Sequence, residues 1–174
     1  STALTNQSLV PNKREYIRGR QKSEVECILC AIVQKDPRVA RLLVWEDDTF
    51  AVSANLYPYN AGHLLVFPLR HIHDPRNMTP EEALGIHELT GKFMTLLDAV
   101  YEPAGYNLGY NIGDASGASI WHLHQHLVPR YPKELGFVDI LAGAKIIIED
   151  PQVTMEKLHQ ALVEQPIRRE TGKP

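Results

Sequence analysis

The chain has 174 residues, 18 basic against 21 acidic side chains, a formal net charge of −3 and 44% hydrophobic residues. This length and composition suit one globular domain with its own core and exclude disorder over most of the chain. The negative charge argues against electrostatic binding to nucleic acid, and no apolar run is long enough to cross a membrane, so we expect neither partner.

The first 24 residues are polar and carry five basic side chains: Lys13, Arg14, Arg18, Arg20 and Lys22. They form either a solvated arm or an arm that packs on the domain or on a partner subunit. This segment has no apolar stretch typical of a signal peptide, and two cysteines cannot build a disulfide framework, so we expect a cytoplasmic protein. Residues 25–174 are expected to form a single domain with a C-terminal helical extension.

Short β-prone runs come next along the chain. Residues 42–45 and 50–52 flank an acidic turn and predict a hairpin, and residues 63–67 predict an apolar strand. A long helix is predicted from Thr79, because the Thr-Pro-Glu-Glu sequence is typical of a capping box and apolar residues follow at helical spacing.

Strands are predicted again over residues 106–112 and 122–128, on either side of a loop of small residues at 113–119. A short apolar run at 146–148 and a second helix over 154–164 complete the pattern. Strands, one long helix and further strands predict an α+β fold with a largely antiparallel sheet.

Three histidines alternate in the sequence His122-Leu-His124-Gln-His126. In a strand they would share one face. One interpretation is a solvated or core-satisfied cluster, and a second is a metal site, because neutral imidazole is a good zinc ligand. The third is attack on phosphorus by a neutral ring whose other nitrogen is held by a hydrogen bond.

The small-residue loop before the histidines suits a phosphate group. Gly113, Gly117 and Ala118 let the backbone approach a ligand, and their N–H groups can form an anion nest. Ser119 adds a hydroxyl group. The loop therefore favours a small anionic ligand beside the histidines.

Residues 122–128 resemble the signature of the histidine triad family, His-x-His-x-His followed by two apolar residues. Residues 117–121 resemble the family's approach to the triad, and residues 62–68 resemble its Gly-His-x-Leu-Val-x-Pro strand. The resemblance implies a five-stranded antiparallel sheet with the long helix packed on it, and a homodimer. Gln125 departs from the pattern, because an apolar residue is usual there.

The resemblance also implies roles for single residues. His124 would attack an α-phosphate and form a nucleotidyl-histidine intermediate, which water or inorganic phosphate then resolves. His126 would contact the phosphate and His63 would help orient the nucleophile. Ser119 would contact a phosphate or leaving-group oxygen, and His122 would be more structural.

Asn55 and Asn111 resemble amide positions of the fragile-histidine-triad branch, on the ribose side and near the bridging oxygen. Gly117 and Ala118 would lie against the phosphates. Residues 15–17, Glu-Tyr-Ile, are similar to those of diadenosine tetraphosphate phosphorylases. This branch cleaves dinucleoside polyphosphates, such as diadenosine tetraphosphate, and the choice between water and phosphate as acceptor stays open.

Cys27 and Cys30 by themselves fit buried thiols, a redox pair or half of a zinc site. In zinc-containing members of the family, a histidine at the position of His71 and the first triad histidine, here His122, complete the ligand set. The resemblance therefore implies a closed, structural Zn²⁺ site. The alternative is a surface His71, with His73 close enough to be mistaken for the ligand.

Three other functions stay open. They are a nucleoside phosphoramidase, a nucleotide-binding signalling protein with slow turnover, and a zinc protein whose triad is itself a metal site.

Overall fold

The computed structural model describes residues 25–118, 120–132 and 149–170. Within them, one antiparallel sheet has the strand order β1-β2-β3-β5-β4. The strands are β1 (Leu43–Glu46), β2 (Phe50–Ala54), β3 (Leu64–Pro68), β4 (Gly105–Tyr110) and β5 (Gln125–Arg130). The helices are α1 (Ile28–Val33), α2 (Pro80–Tyr101) and α3 (Pro151–Glu164). The predicted α+β fold with a five-stranded antiparallel sheet is confirmed.

The predicted hairpin is formed by β1 and β2, which pair antiparallel with Trp45 opposite Val52. The carboxylate of Asp47 accepts hydrogen bonds from the N–H groups of Thr49 and Phe50 at 2.9 and 2.7 Å. These two bonds satisfy backbone N–H groups of the turn, which explains why an acidic sequence connects two apolar strands.

The helix α2 begins with the predicted capping box. The Thr79 hydroxyl accepts a hydrogen bond from the Glu82 N–H at 3.1 Å, and the Glu82 carboxylate accepts one from the Thr79 N–H at 2.9 Å. The helix buries an apolar stripe that belongs to the main core, and its members are Ile86, Leu89, Phe93, Leu96 and Leu97. The stripe recurs every three or four residues, so a single face of α2 packs on the sheet.

The C-terminal helix α3 starts earlier than predicted. The Asp150 carboxylate accepts a hydrogen bond from the Gln152 N–H at 2.8 Å, and Pro151 occupies the first turn. An acidic cap followed by proline is a helix-start signal. Leu158 of this helix is fully buried in the core.

The strand β5 begins at Gln125, so the prediction of a strand from His122 is wrong by three residues. Its neighbour β3 ends at Pro68, which has no N–H with which a ladder could continue. The Pro68 carbonyl accepts a hydrogen bond from the ring of His122 instead, at 2.7 Å. The side chain of Gln125 donates to the Thr90 hydroxyl of α2 at 3.1 Å, so this polar residue packs against the helix, away from the triad.

Some predictions fall outside the described residues, namely the polar arm at 1–24, Ser119 and the apolar run at 146–148. The short helix α1 is described but has no counterpart in the prediction. In the described ranges, no helix is long and apolar enough to cross a bilayer.

Candidate functional site

Four potential metal ligands converge from three separate parts of the chain. Cys27 and Cys30 lie at the start of α1, His71 follows β3, and His122 precedes β5; one ligand atom from each lies within 4.8 Å of all the others. His122 Nδ1 is 3.5 Å from each cysteine sulfur and 3.1 Å from His71 Nδ1. His71 Nδ1 is 3.6 Å from the Cys30 sulfur.

Local structure fixes three of these ligands. Cys27 is the N-cap of α1, and its sulfur accepts a hydrogen bond from the Cys30 N–H at 3.5 Å, so one helical turn places both thiols on the same side. The His122 ring donates from Nε2 to the Pro68 carbonyl, so Nδ1 is unprotonated and its lone pair faces the sulfurs. A metal-binding histidine usually has its second nitrogen held in this way.

The four residues fit a zinc ion. Adjacent nitrogen and sulfur ligands of tetrahedral Zn²⁺ are about 3.6 Å apart, given bond lengths of about 2.1 and 2.3 Å. Burial lowers the pKa of His122 to about 4, so its ring is neutral, as a ligand must be. Burial and the neighbouring Cys27 sulfur raise the pKa of the Cys30 thiol to about 11, and a bound cation would favour the thiolate. A cavity of about 580 Å³ borders the cluster, and Cys27, Cys30 and His71 are among its lining residues.

The second histidine of the triad faces a different space. His124 Nδ1 donates to the backbone carbonyl of His122 at 2.6 Å, so Nε2 is the nitrogen that carries the lone pair. His124 is only 7% exposed and lines a narrow pocket. Burial lowers the pKa of His124, which favours the neutral ring.

His63 contacts the third histidine of the triad. The Tyr59 N–H donates to His63 Nδ1 at 3.1 Å, so in the neutral ring the proton is on Nε2, which lies 2.9 Å from His126 Nδ1. His126 therefore accepts at Nδ1 and carries its own proton on Nε2. The Asn111 side-chain nitrogen lies 3.4 Å from Nε2 and cannot accept this proton, so Asn111 can bond to it only through its amide oxygen. The rings of His126 and His124 have centres 5.0 Å apart.

The remaining predicted residues line the pocket that contains His124 and His126; they are Asn55, Asn111, Gly117 and Ala118. The Asn55 oxygen accepts a hydrogen bond from the Tyr57 N–H at 3.2 Å. Its amide nitrogen lies 3.1 Å from His63 Nε2 and 3.4 Å from Nδ1, and only Nδ1 can accept from it when the ring proton is on Nε2. Gly117 has a φ of +83°, a conformation that favours glycine, and its N–H already donates to Asp114. The predicted anion nest is therefore partly used by the loop itself.

The opposite wall of this pocket is apolar. It is built from α1, from β3 and from residues just before β1 and just after β2, and its side chains are Ile28, Leu29, Ile32, Leu42, Leu56 and Leu65. The pocket thus combines an apolar lining with two imidazoles, a combination common in sites for small organic ligands.

Sequence reasoning missed two contributors. Tyr59 supplies the N–H that fixes the His63 tautomer, and its ring stacks on His63 with centres 5.2 Å apart. Pro68 supplies the carbonyl that orients His122. Both act through the backbone, and only the Gly-His-x-Leu-Val-x-Pro pattern around residues 62–68 signalled that this segment matters.

Comparison with known proteins identifies the family, because residues 36–133 match the HIT domain. The chain belongs to the histidine triad (HIT) family. It is 39% identical over 94 residues to the AP-4-A phosphorylase of Mycobacterium tuberculosis, covering 53% of this chain and 48% of that protein. It is 28% identical over 91 residues to an asymmetrical bis(5′-nucleosyl)-tetraphosphatase of Schizosaccharomyces pombe, covering 52% and 50%.

A solved structure agrees with this family. A Zn-bound histidine triad family protein from Mycobacterium smegmatis aligns with a TM-score of 0.65 and 25% identity, over 80% of this chain and 95% of that one. The HIT chain described here spans about half the length of the two curated relatives it matches. Its relatives thus include enzymes that act on nucleotides by hydrolysis or group transfer.

Proposed function

We propose that this HIT protein cleaves dinucleoside polyphosphates, such as diadenosine tetraphosphate, through a covalent intermediate on His124. The observation that carries the proposal is the hydrogen bond from His124 Nδ1 to the His122 carbonyl. It fixes the tautomer whose Nε2 lone pair faces the pocket, and a held, neutral imidazole is the form that can act as a nucleophile.

The reaction has two displacements. His124 Nε2 forms a bond to the α-phosphorus while the bond from that phosphorus to the bridging oxygen breaks, and the polyphosphate leaves with the electron pair. An oxygen of water or inorganic phosphate then attacks the same phosphorus, and the phosphorus–nitrogen bond breaks. The lone pair returns to Nε2, and the acceptor's proton passes to solvent. With diadenosine tetraphosphate, ATP leaves in the first step, and the second step gives AMP with water or ADP with phosphate as acceptor.

The neighbouring residues would stabilise the charge that develops. His126 presents Nε2–H to a phosphate or leaving-group oxygen, and His63 fixes that tautomer through its bond to His126 Nδ1. His63 was expected to orient the nucleophile His124. We propose instead that His63 orients His126. Asn111 would contact the leaving-group side, and the backbone at Ala118 with the Ser119 hydroxyl would contact the phosphate.

The nucleoside would occupy the other part of the pocket. The apolar lining suits the flat face of a base, Asn55 would lie near the ribose, and Gly117 would turn the loop over the phosphates; all three line the same pocket. The activities of the M. tuberculosis and S. pombe relatives support this substrate class, since one is a phosphorylase and the other a tetraphosphatase.

We also propose that Cys27, Cys30, His71 and His122 hold a structural Zn²⁺. Two sulfurs and two nitrogens form a closed set with no open position, so the ion would stabilise the fold and the approach to β5. The Zn-bound M. smegmatis relative supports this assignment.

We further propose a cytoplasmic homodimer. The strand β4 lies at one end of the sheet, and Leu108 on it is half exposed, which suits association through this edge. Sedimentation of the protein tests the oligomeric state directly.

The proposed chemistry is tested with His124→Ala and diadenosine tetraphosphate, with and without labelled inorganic phosphate. We expect turnover to fall by about 10³-fold or more, because the nucleophile is lost. His87→Ala, an exposed histidine on α2, is the control and should keep full activity. Labelled ADP from the wild type would indicate phosphorolysis, and AMP with ATP would indicate hydrolysis. Unchanged turnover by His124→Ala would remove the covalent mechanism.

A further inference from the structure

A third histidine contacts the cysteine–histidine cluster from outside. His73 Nε2 lies 3.2 Å from Nε2 of His71, the nitrogen that points away from the sulfurs. The His73 ring meets the ring of Trp121 edge-on, with centres 5.9 Å apart. Trp121 directly precedes His122 in the chain and is 60% exposed.

The positions of the four nitrogens determine which of them carry protons. His71 Nδ1 faces the cluster, so when it binds a metal through its lone pair, the ring proton must be on Nε2. That proton points at His73 Nε2, which is at hydrogen-bond distance and must act as an acceptor. His73 therefore has its own proton on Nδ1.

We infer that His73 is a positioning residue for the proposed zinc site. Its Nε2 accepts the hydrogen bond from His71 Nε2–H and holds the His71 ring with Nδ1 toward the cysteines. The inference rests on the zinc site proposed above, and it concerns a residue outside the ligand set.

The need for such a partner follows from where the ligands lie. Cys27 and Cys30 are held by the first turn of α1, and His122 is held by the Pro68 carbonyl. His71 lies in the exposed loop after β3, where rotation of its ring would carry Nδ1 out of the cluster. A hydrogen bond at Nε2 removes that freedom, and such outer contacts commonly change metal affinity by about 10–100-fold.

Two substitutions separate the hydrogen bond from the packing. His73→Phe keeps a flat ring against Trp121 but removes the acceptor, whereas His73→Gln places an amide oxygen near the position of Nε2. Zinc affinity is measured by competition with a chromogenic chelator, and the absorption intensity of the Co²⁺-loaded protein reports tetrahedral coordination. His87→Phe on the exposed face of α2 is the matched control.

We expect His73→Phe to bind zinc about 10–100-fold more weakly, with the tetrahedral Co²⁺ spectrum retained. His73→Gln should stay within about threefold of the wild type, since it keeps an acceptor. As a second readout, the slowly exchanging His71 Nε2 proton should appear in the NMR spectrum of the zinc-loaded wild type and disappear in His73→Phe.

Equal zinc affinity in His73→Phe and the wild type would overturn the inference. Loss of the tetrahedral spectrum in His73→Phe would also overturn it, because His73 would then be a ligand. Failure of the wild type to bind zinc at all would contradict the zinc site itself, which is a distinct outcome.

Discussion

The rings of His122 and His124 each donate to a main-chain carbonyl, but through opposite nitrogens. His122 donates from Nε2 and keeps Nδ1 for the two sulfurs. His124 donates from Nδ1 and keeps Nε2 for the pocket. Two histidines separated by a single residue thus present their lone pairs to different surroundings, so the short segment before β5 could serve both the proposed metal site and the proposed nucleotide site.

Glu82 is a second residue whose hydrogen bonds determine its contribution, in this case to the stability of the fold. Besides capping α2, its carboxylate pairs with Arg70 at 2.5 Å, and the Arg70 hydrogen bond holds the pKa of Glu82 below its ordinary value. Glu82→Gln should lower the free energy of unfolding by about 1–2 kcal/mol at pH 7, since half of the Arg70 side chain is in solvent and screens the pair. Urea denaturation measures this change.

The effect of Glu82→Gln should depend on pH. A carboxyl whose pKa is lower in the folded state stabilises the fold fully above its unfolded pKa of about 4.3, and the contribution is lost as the pH falls through the folded pKa. The gap between wild type and variant should therefore narrow below about pH 4. Glu81→Gln, in the same helical turn but exposed, should show little change at any pH. A gap that does not vary with pH would contradict this account.

At the scale of elements, the helix α2 was predictable because its signals are local. The capping box at Thr79 and the apolar stripe both lie within one continuous segment of the sequence, and the structure contains both. The start of β5 was not predictable from residues 122–128 alone, because it depends on Pro68 in the neighbouring strand. The helix α1 has only six residues and begins at the Cys27 cap, so it is too short to show a recognisable helical pattern of apolar residues.

The contact between α2 and the sheet gives a test with a built-in control. A methyl group at Gly85 would lie 2.3 Å from the ring of Phe50, whereas one at Gly91 on the same helix would meet nothing within 4 Å. Gly85→Ala should destabilise the protein by about 1–3 kcal/mol through overpacking, despite the better helix propensity of alanine.

Gly91→Ala should stabilise the protein by about 0.5–1 kcal/mol, because only helix propensity changes there. Thermal unfolding of the two variants measures whether each substitution raises or lowers the stability of the protein. If Gly85→Ala were as stable as Gly91→Ala, then α2 would not lie as close to β2 as described.

At the scale of the whole molecule, the proposed zinc site joins α1, the loop after β3 and the approach to β5. An ion that binds only the folded chain at about 100 times its Kd adds about 2.7 kcal/mol, or about 5–10 °C in Tm for a chain of this size. A chelator should therefore lower the Tm of the wild type. It should leave Cys27→Ser, which lacks one ligand, unchanged. An equal response of both proteins to the chelator would contradict the site.

The candidate site was predictable in its residue types and only partly in its contacts. The four expected ligands, Cys27, Cys30, His71 and His122, follow from the family resemblance, and the structure brings these residues together. The bond from His63 to His126 could not be predicted from spacing. It depends on the register between β3 and β5 and on an N–H group in the loop before β3.

The most direct test of the account is the identity of the residue that carries the nucleotide during turnover. Protein mixed with diadenosine tetraphosphate is quenched with alkali on the timescale of one turnover, digested, and mapped by mass spectrometry. The account predicts an adenylyl group on the peptide that contains residues 122–126, assigned to His124 by fragmentation and missing in His124→Ala. Turnover without any adduct, or an adduct on His122 or His126, would contradict it.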